Sequence, residues 1–148
     1  MHIPIRASSV SSLLALAAAF GAGVLAAPHF GVVQAQTAAK VYELRTYTAP
    51  EAKLADLHKR FRNHTLRIFQ KHGMTNVIYL APMDAPASQN TLVYLLSHQS
   101  RDAAKASWDA FRNDPEWKKV ASESQVNGPI VTKVDSMFLQ ATDYSPMK

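Results

Sequence analysis

The strongest constraint on this chain is the order in which its hydrophobic period changes between Val41 and Leu139. Val41-Tyr42-Glu43-Leu44-Arg45-Thr46-Tyr47 alternates with β-branched and aromatic residues, which predicts a first strand. Thr48-Ala49-Pro50-Glu51 then has the form of a capping box, opening a helix from Pro50 to His72. Its apolar stripe is Leu54, Leu57, Phe61 and Ile68, with Thr65 and His72 in the same band, and Gly73 stops it. Met74 to Ala81 reads as a second strand, Pro82 to Gln89 as a turn-rich connection, and Thr91 to His98 as a third strand completing a hairpin.

Ser100 caps the next helix, whose stripe is Ala104, Trp108 and Phe111. Asp114-Pro115 ends that helix and caps another carrying Trp117, Val120 and Ala121. Asn127-Gly128-Pro129 closes this piece, Ile130 to Leu139 alternates as a fourth strand, and residues 141–148 form a polar tail. The order β-α-β-β-α-β predicts an α+β, ferredoxin-like domain over residues 41–140, with both helical regions on one face of a four-stranded antiparallel sheet. The fourth strand presents Ile130, Thr132, Val134 and Phe138 to one side and Val131, Met137 and Leu139 to the other, so neither side is plainly solvated. A sheet apolar on both sides needs a second cover, and a homodimer is the expected one.

Residues 1–35 stand apart from this pattern. Arg6 is their only charge, Leu13 to Ala27 is an Ala- and Leu-rich apolar run, and Val33-Gln34-Ala35 ends with small residues in the A-x-A manner. This predicts an export signal cleaved after Ala35, a periplasmic or secreted mature protein, and membrane contact through the signal alone. Gly21, Gly23, Pro28 and His29 interrupt the run before the roughly 18 apolar residues that a membrane span requires. Residues 36–40 are a short polar lead-in. The sequence has no cysteine, which excludes disulfides, thiolate-ligated haem, iron–sulfur clusters and cysteine catalysis.

Val41 to Thr48 resembles the opening strand of the NIPSNAP family, and Arg62 to Gly73 together with Asp114-Pro115-Glu116-Trp117 continue the likeness. The resemblance implies a ferredoxin-like subunit that pairs into a dimeric α+β barrel. The wider superfamily contains cofactor-free monooxygenases, haem-binding and chlorite-converting enzymes and stress-related barrels. Their ligands usually lie between helices and sheet. The family motif carries no reaction with it.

Four histidines lie beyond the leader: His58, His64, His72 and His98. Spacings of six and eight on one helix place His64 and His72 roughly 12 Å apart along the axis, so no shared metal ion is expected. Nor is a cofactor expected, although haem held by a single His is compatible with the composition. His64 lies at the edge of the apolar stripe, where it is either a structural group or the proton acceptor of a cavity. Arg45 and Tyr47 share one sheet face with Glu43; Arg45 either pairs with Glu43 or joins Tyr47 in orienting an acidic or phenolic ligand.

The basic run around Lys59, Arg60, Arg67 and Lys71 reads as a solvated helix face, and no nucleic-acid partner is expected. The sequence contains no G-x-S-x-G, P-loop or dinucleotide-binding turn. What the residues leave is a small apolar or aromatic ligand in a pocket walled by Phe61, His64, Tyr79, Tyr94, Trp108, Phe111 and Trp117. The alternatives are a cofactor-independent monooxygenase using His64, Tyr47 and Arg45, and an interaction protein at a membrane surface. For the aromatics, plain core is the competing assignment, decided by whether a void separates the Asp114-Pro115 corner from the sheet.

Overall fold

The computed structural model describes residues 40–147. The predicted leader and most of the lead-in lie outside these residues. The order is β1 (Val41–Thr48), α1 (Leu54–Arg60), a π-helical turn (Phe61–Thr65), α2 (Leu66–Lys71), β2 (Thr75–Leu80), β3 (Thr91–His98), α3 (Arg101–Asn113), α4 (Pro115–Ser124) and β4 (Lys133–Gln140). The strands form one antiparallel sheet in the order β2-β3-β1-β4. This is the predicted α+β arrangement.

Register assigns the faces. Glu43, Arg45 and Tyr47 lie opposite Leu96, Tyr94 and Leu92 of β3 and opposite Phe138, Ser136 and Val134 of β4. Leu92, Tyr94 and Leu96 are buried against Leu57, Phe61, Ile68 and Phe69 of the first helical region and Trp108 and Phe111 of α3, so the helices cover this side. The opposite face carries Tyr42, Leu44, Leu95, Ile78, Leu80, Met137 and Leu139. Four of these are exposed, Ile78 at 45 %, Leu80 at 49 %, Met137 at 56 % and Leu139 at 40 %. Residues Ala141, Ser145 and Met147 line a cavity of about 170 Å³ with Tyr42, Leu95 and Leu139, so the polar tail lies beside the bare face.

Three local predictions fail for identifiable reasons. The capping box at Thr48 does not form, because Thr48 stays in β1 and its carbonyl accepts bonds from the amide and hydroxyl of Thr132. The chain instead turns through Ala52 in the left-handed region (φ 61°), and α1 begins at Leu54 without a side-chain cap. Long-range backbone bonds have displaced a local motif. Second, the long helix is not continuous: the π turn at Phe61–Thr65 widens one turn and resets the stripe, so Thr65 is buried while His64 is exposed. Third, β4 begins at Lys133, because Ile130 is fully buried and Val131 packs on the core before strand pairing starts.

Other stop and start signals act as expected. Gly73, at φ 77°, closes α2 with its amide bonded to Gln70 O (3.0 Å) and that of Met74 to Phe69 O (3.0 Å), a Schellman ending. The Ser100 hydroxyl accepts from the Ala103 amide at 3.0 Å, and the Asp114 carboxylate accepts from the Glu116 amide at 2.7 Å with Pro115 in the first helical position.

Candidate functional site

Glu43 is the most demanding residue of the fold, a carboxylate 2 % exposed in the middle of the sheet. Both of its oxygens are saturated. Oε1 accepts from Arg45 (2.6 Å) and Ser136 (2.7 Å), and Oε2 accepts from Trp108 Nε1 (2.7 Å) and His98 Nε2 (3.0 Å). Because a carboxylate oxygen only accepts, the His98 ring donates from Nε2 in this bond. Burial opposes ionisation of Glu43, yet hydrogen bonds from His98, Trp108, Ser136 and Arg45 outweigh it and lower its pKa from 4.5 to about 2. Glu43 is therefore a fixed anion near neutral pH, a clamp for four side chains and no general base. Arg45 is held twice, by this ion pair and by stacking over Trp108 at 4.2 Å. Two buried atoms of this cluster, Arg45 Nε and His98 Nδ1, have no hydrogen-bond partner among the described residues.

The cluster floors a groove of about 410 Å³ between α3 and β4. Its lining comprises Glu43 and Trp108 at the base, Phe138 of β4, and Arg101, Lys105 and Arg112 of α3, with Asp102 beside them. A second cleft, of about 280 Å³, lies between the first helical region and β2, where Phe61, Leu66, Tyr79 and Leu92 form apolar walls with Ala81 and the ionisable His58 and Arg62. A third, polar groove of about 310 Å³ separates α1 from α4 and contains His64, Asn63, Asp56 and Glu123.

The structure divides the predicted pocket among these places. Tyr79 stacks on Tyr94 at 5.4 Å, Tyr47 meets Tyr94 edge-on at 5.2 Å, and Phe61 touches both Tyr47 and Tyr79 at 5.8 Å. Burial, with Tyr47 alongside, raises the pKa of both Tyr79 and Tyr94, so neither is a phenolate near neutral pH. Phe111 packs on Trp117 at 4.3 Å and on Phe69 at 5.0 Å, while Trp108 meets Phe69 at 5.3 Å. At the Asp114-Pro115 corner Phe111 and Trp117 are thus packed core, and Trp108 is core on one side and groove floor on the other. His64 joins neither Tyr47 nor Arg45; the π turn carries it to the outer groove, which sequence at a uniform 100° per residue could not show.

The basic face is corrected at Arg60 alone, since Lys59, Arg67 and Lys71 are exposed as expected. Arg60 is buried, stacked over Trp117 at 5.1 Å, and Lys71 reaches Asp114 at 2.7 Å while Arg67 pairs with Glu116. These cations also fasten the first helical region to α4. The sequence placed Glu43 beside Arg45 but did not reveal its central role, and it gave His98 none. Strand parity was the available signal, since Glu43 opposite Leu96 and His98 opposite Val41 must both face the helices. Among the described residues no group of three or more His, Cys, Asp or Glu side chains is placed to hold a metal ion.

Comparison with known proteins agrees with this architecture. No curated protein is matched. A NIPSNAP family protein of unknown function from Agrobacterium tumefaciens superposes with a TM-score of 0.65 at 18 % identity, covering 75 % of this chain and 96 % of that one. A NIPSNAP-like domain protein from Burkholderia xenovorans gives 0.64 at 16 %, covering 74 % and 90 %. SnoaB, a cofactor-independent oxygenase from Streptomyces nogalater, gives 0.51 at 16 %, covering 74 % and 99 %. At these identities the structural likeness establishes the fold alone. The NIPSNAP family model, however, matches residues 42–146, most of the chain, and the chain therefore belongs to the NIPSNAP family.

Proposed function

We propose that this NIPSNAP protein is exported, works as a homodimer and binds a small apolar or aromatic molecule in the cleft between its first helical region and β2. The observation that carries the reading is the cleft itself. Its walls of Phe61, Leu66, Tyr79 and Leu92 are apolar and its volume, about 280 Å³, suits a one- or two-ring molecule. The Tyr79 hydroxyl is tied to Asn76 Oδ1 at 2.5 Å, and Asn76 in turn bonds Leu66 O at 2.9 Å, so the wall is held in place before a ligand arrives. Export rests on the leader and its A-x-A ending. Dimerisation rests on the bare sheet face.

Titration with the neutral fluorophore N-phenyl-1-naphthylamine tests the cleft. Ala81 lines it and is exposed, so Ala81→Trp fills space without disturbing the core. The substitution is expected to raise the dissociation constant tenfold or more; an unchanged constant in a folded variant refutes the assignment. Native mass spectrometry of protein taken from its own compartment reports the processing site, the oligomer and any retained molecule together.

A cofactor-independent monooxygenase is the second reading, supported by the fold held in common with SnoaB. Binding outranks it because the groups such chemistry would draw on are dispersed: His64 faces the outer groove, Arg45 is committed to Glu43, and Tyr47 sits among the core rings. Oxygen uptake with phenolic or quinol substrates would reverse this order.

A further inference from the structure

The groove between α3 and β4 shares no lining residue with the apolar cleft, and its chemistry differs. We propose that it is a separate binding site for an amphipathic anion, a small aromatic carboxylate or equivalent acid whose ring lies against Trp108 and Phe138 and whose anionic head is held by Arg101.

Charge comes first. Arg101, Lys105 and Arg112 all line the groove. Lys105 and Arg112 both pair with Asp109, at 2.8 and 2.6 Å, so one carboxylate serves two cations. Arg101 is bound to no carboxylate among the described residues and stacks over the Phe138 ring at 4.4 Å. Stacking fixes the plane of a guanidinium and leaves its N–H edge for a planar acid, which arginine binds through two parallel hydrogen bonds. The buried Glu43 does not cancel this, since its charge is matched by Arg45 at 2.6 Å and both its oxygens are occupied. Asp102 is the one further acid of the lining, so cations prevail.

Shape and preorganisation follow. A volume of about 410 Å³ accommodates a bicyclic ring with its head group. Trp108 cannot swing aside, because Nε1 is anchored to Glu43 at 2.7 Å and Arg45 backs its ring at 4.2 Å. A fixed indole wall, a ring on β4 and a preset guanidinium supply the apolar body and oriented charge that recognition of such an acid needs.

The test uses 2-naphthoate and its neutral counterpart naphthalene-2-carboxamide, with affinities measured by calorimetry on the mature protein. Trp108 and Trp117 are the two tryptophans of the chain, so a Trp117→Phe form reports Trp108 emission alone. Wild-type protein is expected to bind naphthoate at least tenfold more tightly than the carboxamide and to shift Trp108 emission as it does so. Arg101→Gln, an exposed change at the start of α3, should erase the preference, and 0.5 M NaCl should narrow it. Ala81→Trp should leave it unmoved, which separates this site from the apolar cleft. Equal affinity for acid and amide, no binding of naphthoate, or a preference that survives Arg101→Gln in a protein with unchanged circular dichroism overturns the proposal.

Discussion

Glu43 shows what a single residue contributes here and under which conditions. Its pKa is about 2 in the folded chain against an ordinary 4.5. Its bonds therefore stabilise the fold fully above about pH 4.5, and this contribution is lost as the pH falls toward 2. A depression of that size corresponds to about 3 kcal/mol. Glu43→Gln is accordingly expected to cost about 3 kcal/mol at pH 6, because it leaves Arg45 without its partner. The gap to wild type should close by pH 2, as followed by urea midpoints at both pH values. A gap constant with pH would mean that packing, not charge, is what Glu43 supplies. Arg45 and Tyr47 were visible in the sequence as a face-sharing pair. The pairing of Arg45 with Glu43 was visible too, but the rest of the Glu43 cluster was not, because three of the four donors to Glu43 come from β3, α3 and β4.

At the scale of elements, local signals succeeded where backbone groups had no better partner. Ser100 and Asp114 cap as expected, and Ser100→Ala should destabilise by about 1 kcal/mol. Asp114→Ala should lower the melting temperature further than Ser100→Ala, because Asp114 also binds His72 at 2.6 Å and Lys71 at 2.7 Å, tying the end of α2 to the α3–α4 corner. Equal losses in differential scanning calorimetry would make that tie incidental. Gly73→Ala forces a side chain into the left-handed region and should cost about 1 kcal/mol, measurable by the same scan. The capping box at Thr48 failed because two distant bonds from Thr132 claimed the Thr48 carbonyl. The π turn was invisible for a related reason: a uniform helical period contains no information about one extra residue in a turn, and that residue decided where His64 points.

For the whole molecule, the unresolved demand is the bare sheet face with Ile78, Leu80, Met137 and Leu139 exposed. This face is where the proposed dimer would pair. Met137→Lys should convert the proposed dimer to a monomer in sedimentation velocity while leaving the helix-side core intact; a wild-type monomer at micromolar concentration would refute the pairing. By itself the sequence determined the element order, the strand faces and the caps at Ser100 and Asp114, because each follows from residue spacing along a regular element, while its motifs carried the resemblance to the NIPSNAP family. Only the tertiary structure decided that Glu43 and His98 meet under Trp108, that His64 turns outward, that Arg60 is buried, and that the predicted pocket is an apolar cleft and a cationic groove on opposite sides of a packed aromatic core. Those outcomes depend on which distant groups compete for the same hydrogen bonds and the same volume, and spacing along a chain does not record that competition.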